Sequence, residues 1–397
     1  MVADPLCGAS AHPDEGVKRL LRIGLIGLGN MGTAHADMLA RGEVEGGVLA
    51  AVCDPDPEKL ERARERYGER VKRFRDAEEM MASGEIDGVV IATPHYSHPP
   101  LAIRAFAHGL HVLVEKPAGV YTKQVREMNE AAEQAGTVFA IMYNQRTNPL
   151  YRKLRDLAAS GELGEIRRTN WIITDWYRPQ SYYDSGTWRA TWEGEGGGVL
   201  INQCPHQLDL WLWTTQLRPR RLRAFCHFGK YRNIEVEDEV TAYVEYENGG
   251  TGVFVATTAE APGTNRFEVA GTRGKVVIED GRLSFWRLRL SEPEFNATCR
   301  GLFDKPECWK VEVPVEPGSG GQHRAILQNW TDAVLKGTPL IAPGREGIHG
   351  LMLSNAMLLS TWTDGWVEFP IDENRFLEEL EARIAESRRR KAKAAEG

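Results

Sequence analysis

The sequence predicts an α/β protein in which a doubly wound parallel sheet is followed by an α+β domain with a large, mostly antiparallel open sheet. From residue 21 to about 147, short apolar runs alternate with amphipathic stretches, which is typical of a parallel sheet with helices on both faces. Farther along, strand-like runs follow one another across short turns such as Asn248-Gly249-Gly250, which is typical of an antiparallel sheet. At 397 residues the chain is also long for one core, so two domains are expected.

The first domain is expected at residues 21–147, after an N-terminal tail over residues 1–20. Ligands of such a sheet bind beyond the carboxyl ends of its strands, so the residues that follow each strand are the first candidates for a site. The predicted strands are 22–27, 48–53, 87–92, 110–114 and 138–142, and the predicted helices are 31–41, 57–67, 76–82, 98–108 and 122–135.

The second domain is expected at residues 148–372 and is followed by a C-terminal helix and tail over 373–397. A single large sheet in this domain leaves one face for a partner subunit, so we expect a homodimer or homotetramer assembled through that sheet. The predicted helices are 150–159, 205–215, 322–336, 345–362 and 373–392, and the predicted extended segments are 165–177, 220–228, 235–247, 250–258, 265–270, 274–279 and 282–289.

The composition is that of an ordinary globular protein, with 42% hydrophobic and 26% charged residues. A net charge of −7 argues against nucleic-acid binding, and the basic cluster Arg388-Arg389-Arg390-Lys391 is interpreted as a solvated helix end. We see neither a secretory signal nor an apolar run long enough for a membrane span. The six cysteines show no metal-ligand spacing and fit reduced thiols, so we expect a cytoplasmic protein without a bound metal.

A glycine motif near the start indicates a dinucleotide site. Gly27-x-Gly29-x-x-Gly32 follows an apolar strand and opens a helix. The glycines allow a tight turn and close approach of the backbone to a pyrophosphate, as in a Rossmann domain. The start of the helix, with Asn30 and Met31, supplies free N–H groups and the positive end of the helix dipole for the phosphates.

A carboxylate for the adenosine ribose is expected at Asp54. It ends the second apolar run, 22 positions after Gly32, where an acidic residue accepts hydrogen bonds from the ribose hydroxyls. Pro55 and Asp56 follow rather than an arginine, so a 2′-phosphate would meet negative charge. The sequence therefore predicts NAD as the cofactor, with NADP less favoured.

Polar side chains follow three more predicted strands, at Thr93-Pro94, Glu115-Lys116-Pro117 and Asn144-Gln145-Arg146. A lysine at the position of Lys116 could reach over a nicotinamide to a hydroxyl or carbonyl oxygen. Its ammonium would stabilise a developing alkoxide. Pro117 would rigidify the turn, and a cis Lys-Pro bond is possible at a site that demands close geometry. Lys116 is therefore a candidate catalytic residue, although a surface lysine after a strand is the plainer interpretation of this position taken alone.

A second candidate segment runs from Gly196 to Asp209. If it is helical, Asn202, His206 and Asp209 share one face. Pro205 fits only the first turn of a helix, so we expect the helix to begin near 202–204. A histidine titrates near neutral pH, so His206 is the natural base for a sugar hydroxyl, with a buried core histidine as the alternative.

An aromatic and basic stretch lies between the two domains. Sugar rings present apolar C–H faces that pack on aromatic planes, while arginine and tyrosine donate hydrogen bonds to hydroxyls. Arg189 and Trp192 are the stronger candidates for substrate contacts because they directly precede the glycine run. The stretch consists of Trp171, Trp176, Tyr177, Arg178, Tyr182, Tyr183, Trp188, Arg189 and Trp192.

Taken together, these segments resemble the Gfo/Idh/MocA family of NAD(P)-dependent oxidoreductases over residues 21–370. That family carries a glycine-rich loop, a Thr-Pro-Asn-x-x-His turn, a Glu-Lys-Pro motif and a glycine-led Asp-x-x-x-His segment. Here His95 stands in place of the asparagine, and Asn202 stands in place of the aspartate. An amide cannot take up a proton, so an acid–base role carried by the aspartate in relatives is missing from position 202.

The resemblance implies a two-sided site. Lys116 and His206 would act on the substrate hydroxyl. The expected substrate contacts are Asn202, Arg146, Trp176, Arg189 and Trp192, and the expected cofactor contacts are Gly27, Gly29, Asn30, Met31, Gly32, Asp54, Thr93, Pro94, His98, Glu115, Lys116 and Gln145.

The function that this resemblance implies is NAD-dependent oxidation of a secondary hydroxyl on a sugar, glycoside or cyclitol. Two alternatives stay open. Some members of the superfamily are glycoside hydrolases that retain NAD and act by transient oxidation and elimination, and the altered Asn202 is compatible with that route. A catalytically silent sugar-sensing protein is the other, although intact Lys116 and His206 argue against it.

Overall fold

The structure is a computed structural model that describes residues 19–396. Its first sheet has six parallel strands in the order β3-β2-β1-β4-β5-β6, and the order reverses between β1 and β4. Ligands of doubly wound sheets bind at this reversal. The strands are β1 Leu21–Ile26, β2 Gly47–Cys53, β3 Lys72–Phe74, β4 Gly88–Ile91, β5 His111–Val114 and β6 Phe139–Ile141, and the helices are α1 Asn30–Ala40, α2 Pro57–Tyr67, α3 Ala77–Ala82, α4 His98–Ala107 and α5 Thr122–Ala135.

The second sheet has nine strands in the order β14-β13-β12-β11-β7-β10-β9-β8-β15. Its pairings are antiparallel except that of β7 with β10, which is parallel. The elements are α6 Pro149–Ala159, β7 Ile166–Ile173, α7 Gln180–Tyr183, α8 Pro205–Thr215, β8 Pro219–Phe228, β9 Glu237–Tyr246, β10 Thr251–Thr257, β11 Asn265–Gly271, β12 Gly274–Glu279, β13 Arg282–Leu288, α9 Glu292–Thr298, β14 Cys308–Val311, α10 Gln322–Lys336, α11 Gly347–Trp362, β15 Val367–Glu368 and α12 Glu373–Glu396.

The expected fold class is confirmed, and most predicted elements lie within one or two residues of their expected ends. Three short strands (β3, β14 and β15) and the short helices α7 and α9 were not predicted. Strand β3 is the sequence Lys-Arg-Phe at the edge of the sheet, too short and polar to show a periodic pattern. The helix expected to begin near 202–204 begins at Pro205, and a π-helical turn over Val199–Gln203 precedes it.

Helix α10 belongs in sequence to the expected second domain but packs against the first sheet. It follows the second sheet in the sequence but packs on the first, where Trp330 is fully buried against the chain at Gly88. The side-chain amide of Gln328 exchanges hydrogen bonds of 2.7 and 3.0 Å with the backbone of Glu45. Helix α10 therefore packs against the first sheet, and the chain returns to the first domain after it has formed most of the second.

Some sequence expectations fall partly outside the described residues. The N-terminal tail does so except for its last two residues, and so does Cys7; the other five cysteines are free thiols. No helix within residues 19–396 has both the length and the apolar character needed to cross a membrane. The basic cluster is not merely solvated, since Arg388 pairs with Glu193 at 2.7 Å and Lys391 with Glu235 at 2.9 Å.

Candidate active site

The glycine loop between β1 and α1 has the geometry of a phosphate cradle. Gly27 has a φ of +95°, and a Cβ on Gly32 would stand 1.8 Å from the carbonyl oxygen of Gly27, so no other residue fits there. Among the described residues no side chain caps the N-terminus of α1 at Gly29. The N–H groups of its first turn, which includes Asn30 and Met31, therefore remain available to an anion.

Asp54 lies at the end of β2, beside this loop. Its buried carboxylate accepts the N–H of Leu28 at 2.8 Å and that of Asp56 at 3.0 Å, and the ammonium of Lys59 lies 3.1 Å from Oδ2. Asp56 itself caps helix α2 by accepting the N–H of Glu58. The charge around the expected ribose site is therefore less negative than the sequence suggested, because Lys59 offsets Asp54 and Asp56 is committed to the helix.

The turns after β4 and β5 are tied together by buried side chains. The two ring nitrogens of His98 lie 2.7 Å from the carbonyl oxygens of Pro117 and Thr93. Glu115 meets His35 Nε2 at 2.6 Å and accepts the N–H of Lys116 at 3.1 Å. Burial alone would raise the pKa of the Glu115 carboxyl, but the His35 hydrogen bond and the nearby positive charges outweigh it and lower that pKa to about 2. These contacts fix the strand end that carries Lys116.

A cleft of about 900 Å³ separates this edge from the second sheet. Five predicted site residues line it: Lys116, Gln145, Trp176, Asn202 and His206. Arg178, a member of the aromatic and basic stretch, also lines it. The lining includes polar residues that were not among the expected contacts, such as Asn144, Asp175, Gln203, Gln207, Gln322 and His323.

Lys116 joins the two sides of the cleft. Its ammonium donates a 3.0 Å hydrogen bond to the backbone oxygen of Asn202, and its bond to Pro117 is cis. Burial lowers the pKa of Lys116 below its ordinary value, while the negative charges of Glu115 and Glu195 act in the opposite direction. The lysine thus presents its charge in a largely desolvated position, where a developing negative charge is stabilised most strongly.

His206 occupies the first turn of α8 and lines the same cleft. Its Nδ1 is buried and finds no hydrogen-bond partner among residues 19–396, which leaves Nε2 as the nitrogen that can meet a ligand. Burial, reinforced by the positive charge of Lys116, lowers the pKa of His206 to about 3. The imidazole is therefore neutral at physiological pH, the form in which one of its two ring nitrogens is an acceptor.

Arg146 is a correction to the expected substrate contacts. It is almost fully buried and donates to both carboxylate oxygens of Asp209, at 2.9 and 2.6 Å, and to Glu346. Asp209 therefore meets Arg146 in the interior and does not line the cleft with His206, and Asn202 lies before α8, in the π-helical turn. The buried ion pair links the turn after β6 to helix α8, and the structure does not bring Arg146 into the cleft.

Arg189 and Trp192 also lie outside the cleft lining. Arg189 donates to the Tyr182 hydroxyl at 2.9 Å, and Trp192 is buried against Phe228 and Trp362. The loop folds back on itself, so these two side chains pack behind the residues that line the cleft. Trp176, by contrast, lines the cleft.

Glu195 and His323 carried little sequence signal, and His95 was noted only as a departure from the family's asparagine. Glu195 sits in Glu193-Gly194-Glu195-Gly196, where the glycines drew attention and the carboxylates did not. His323 begins a helix far along the chain and reaches the cleft only because α10 returns to the first sheet. His95, at the family's asparagine position, is buried with Nδ1 3.1 Å from the Glu195 carbonyl oxygen, and burial lowers its pKa to about 3. Residues 19–396 contain no group of three or more histidine, cysteine or carboxylate side chains that could hold a metal ion.

Comparison with known proteins matches both halves of the chain to models of one family. A model described as an oxidoreductase family with an NAD-binding Rossmann fold matches residues 21–143. The GFO/IDH/MocA C-terminal domain matches residues 151–277. The two matches meet near the turn after β6, next to the cleft.

Among individual relatives, the rhizopine catabolism protein MocA of Rhizobium meliloti is 33% identical over 203 residues, which are 51% of this chain and 59% of that protein. The chain thus matches about three fifths of that relative's length. The scyllo-inositol 2-dehydrogenase (NAD(+)) of Bacillus subtilis (strain 168) is 25% identical over 65% of this chain and 73% of its own. The crystal structure of the WlbA dehydrogenase from Bordetella pertussis, in complex with NADH and UDP-GlcNAcA, is 26% identical with a TM-score of 0.75, covering 89% of this chain and 100% of that one.

Proposed function

Because the chain belongs to the Gfo/Idh/MocA family of oxidoreductases, we propose that it is an NAD-dependent enzyme that oxidises a secondary hydroxyl of a sugar, glycoside or cyclitol. The observation that supports this most strongly is the placement of Lys116 and His206 in one cleft at the nucleotide edge of the parallel sheet. The scyllo-inositol dehydrogenase among the relatives supports the substrate class.

The chain's residues fit NAD. Gly27, Gly29 and Gly32 would receive the pyrophosphate at the uncapped start of α1, and Asp54 would accept a hydrogen bond from the adenosine ribose. Bound NAD supplies the acceptor for the hydride that leaves the substrate carbon. Asp54 still favours NAD over NADP, although Lys59 makes that preference smaller than the sequence alone suggested.

We assign the substrate proton to His206. The neutral imidazole accepts the hydroxyl proton while the Lys116 ammonium stabilises the oxygen that loses it. Asn202 cannot exchange a proton at its amide, so it orients the substrate. The cleft supplies donors and acceptors for further hydroxyls, since Trp176 Nε1, Gln203 Oε1 and Gln207 Oε1 are buried without partners in the part of the chain that the structure describes.

A second candidate is the NAD-retaining glycoside hydrolase. That route needs a base beside the carbon next to the oxidised one, and Asp175 is a carboxylate that lines the cleft. Burial raises the pKa of Asp175 above its ordinary value, which suits a group that takes up a proton. We rank this candidate second because the Asp175 carboxylate is hydrogen-bonded to Asn265, and this contact does not connect it to Lys116 or His206.

The test follows the cofactor during turnover with free sugars, cyclitols and aryl glycosides. The proposed oxidation gives one NADH for each product molecule and stops when NAD is exhausted. Aglycone release without NADH, with deuterium entering the sugar in heavy water, would establish the hydrolase instead. Binding of a sugar with no turnover under either assay would leave the sensing role.

We further propose that the outer face of the nine-stranded sheet binds a second copy of the chain. Phe225 and Tyr243 are 54% and 40% exposed on this face, whereas their neighbours Ala224 and Ala242 are buried on the other. A homodimer or homotetramer would cover these aromatic rings. Light scattering tests the proposal: the wild type should be an oligomer, and a Phe225→Glu variant should have a lower mass.

A further inference from the structure

The side chain of Asn202 is in contact with a carboxylate, that of Glu195. Asn202 lines the cleft, and its amide nitrogen donates one hydrogen bond to Oε1 of Glu195 and another, of 3.3 Å, to the Tyr182 hydroxyl. Its backbone oxygen accepts the hydrogen bond from Lys116 at 3.0 Å. A carboxylate that the sequence shows seven positions earlier is thus in direct contact with the amide.

Glu195 is built into its position. The side chain is 2% exposed, and its second oxygen, Oε2, accepts the backbone N–H of Ala190 at 2.6 Å. The guanidinium of Arg189 lies 3.9 Å from Oε1 and also donates to the Tyr182 hydroxyl. Two neighbours of Asn202 are therefore themselves anchored, so the amide is held by a fixed frame rather than by mobile side chains.

This frame decides which way the amide points. An ionised carboxylate only accepts hydrogen bonds, so the nitrogen of Asn202 must face Glu195. Both N–H groups are then committed, to Glu195 and to Tyr182. The carbonyl oxygen, Oδ1, is left for a ligand in the cleft, where it can accept a hydrogen bond from a hydroxyl.

We propose that Glu195 is a positioning residue of the active site: through the Asn202 amide it turns Oδ1 toward the cleft as the acceptor for a substrate hydroxyl. The inference rests on the proposed function, because the hydroxyl is that of a sugar or cyclitol. The role of a carboxylate at position 202 is thereby divided between two side chains, a buried Glu195 that carries the charge and Asn202 that meets the substrate.

A four-member cycle of variants tests this: wild type, Glu195→Gln, Asn202→Asp and the double variant. Glutamine at 195 can donate as well as accept, so the amide at 202 loses its fixed orientation, and kcat/KM should fall about 10- to 100-fold. Asn202→Asp places two carboxylates in contact, and activity should fall by a similar factor and recover as the pH is lowered and one of them is protonated. The double variant restores a carboxylate–amide pair in the reverse order and should return to within about 10-fold of wild type.

Glu193→Gln is the matched control. Glu193 lies two residues away in the same segment, but it is exposed and paired with Arg388 on the surface. It should leave kcat/KM and its pH dependence unchanged. NAD affinity, followed by fluorescence, should be the same in every variant, which separates loss of positioning from loss of the cofactor site.

The cycle distinguishes failure of this inference from failure of the proposed function. Losses that multiply in the double variant, or a Glu195→Gln variant with wild-type kcat/KM, would overturn the positioning role. If the wild type oxidises no polyol, the same cycle is measured as sugar affinity of the NAD complex by calorimetry. Rescue of affinity in the double variant would keep the positioning role while the oxidation is rejected, and absence of rescue in both measurements would reject it.

Discussion

The nucleotide edge of the first sheet and the segment over residues 196–209, called the catalytic segment after its proposed role, lie on two sides of one cleft and are held by different means. At the nucleotide edge the decisive contacts are made by the backbone, as where Gly32 approaches the carbonyl oxygen of Gly27. In the catalytic segment they are made by side chains, as where Asn202 is held by Glu195 and Tyr182. The first arrangement requires glycines, which have no side chain, and the second requires pairs of hydrogen-bond donors and acceptors.

This difference determines what each side tolerates. At Gly32 the backbone cradle accepts no larger residue, because an added Cβ would collide with the carbonyl oxygen of Gly27. A pair of side chains can exchange its members, provided that donor and acceptor still match and no buried charge is left alone. We therefore expect variants of the nucleotide edge to fail singly, and variants of the catalytic segment to be rescued by a second change.

The largest effect should come from the two residues at the reacting centre. Lys116→Ala and His206→Ala should each lower turnover by roughly 10²- to 10⁴-fold, the usual contribution of an acid–base or charge-stabilising group. NAD affinity should stay near that of wild type, because neither residue belongs to the glycine loop. Lys72→Ala, an exposed lysine of the same domain, is the control. Near-normal turnover of His206→Ala would assign the base elsewhere, first to Lys116.

The helices and strands could be predicted from the sequence because burial of one face gives apolar residues a regular spacing along each element. Helix α2 was predicted at its observed bounds, Pro57–Tyr67, and the structure shows its first turn capped by Asp56. The packing of α10 on the first sheet was not predicted. A buried tryptophan such as Trp330 could fill the core of either domain, and the sequence does not say which. Local patterns specify elements, while the pairing of distant elements depends on shapes that a pattern does not encode.

The candidate site divides in the same way. Gly27 and Gly32 could be predicted as parts of a tight turn between strand and helix, because the backbone geometry of such a turn demands glycine at fixed spacing. Arg146 was assigned to the substrate because it follows a strand, yet its partners Asp209 and Glu346 lie 63 and 200 positions away and take it into the interior. A buried ion pair leaves no local signature, so sequence position alone could not separate it from a ligand contact.

Loss of that ion pair should have the next largest effect, on stability. Arg146→Met leaves Asp209 buried without its partner, which should lower the free energy of unfolding by about 3–5 kcal/mol. Arg126→Met removes an exposed arginine that pairs with Glu373 and should change it by no more than about 1 kcal/mol. Urea unfolding measures both. An Arg146→Met variant as stable as the control would show that the catalytic segment does not depend on this pair.

At the nucleotide edge, Gly32→Ala and Gly29→Ala form a matched pair. The Cβ added at position 32 would collide with the loop backbone, which should reduce both stability and NAD affinity by about 1–3 kcal/mol. Nothing stands within 4 Å of a Cβ at position 29 among the described residues, so Gly29→Ala should keep its thermal stability. It should lose NAD affinity alone, because the methyl group keeps the pyrophosphate from the backbone. Unchanged affinity in Gly29→Ala would contradict the placement of the phosphates.

Selectivity between cofactors should respond more weakly. Asp54→Ala should weaken NAD binding by about 1–3 kcal/mol through loss of a charge-assisted hydrogen bond. NADP should be affected less, because the alanine also frees the Lys59 ammonium for a 2′-phosphate. Fluorescence titration with both cofactors measures the ratio. Equal affinity of the wild type for NAD and NADP would rule out the preference argued from Asp54.

The smallest expected effect concerns the pH dependence of kcat/KM. Lys116 acts as an ammonium, and its lowered pKa means that activity falls as the pH rises through a value below the ordinary lysine pKa of about 10.4. His206 acts as a neutral base, and its pKa of about 3 places the acid limb near that pH, so the profile should be flat through the neutral range. The charged groups that act on Lys116 include Glu115, Glu195 and Arg178.

Of these charges only Glu195 belongs to the frame that holds Asn202. Removing its negative charge in Glu195→Gln should make the ammonium easier to deprotonate and move the alkaline limb to lower pH, whereas Glu193→Gln should leave it in place. A limb that does not move would mean that Glu195 affects the amide of Asn202 but not the charge of Lys116. The two sides of the cleft would then be coupled through the Lys116 hydrogen bond to Asn202 and not through the charge of Glu195.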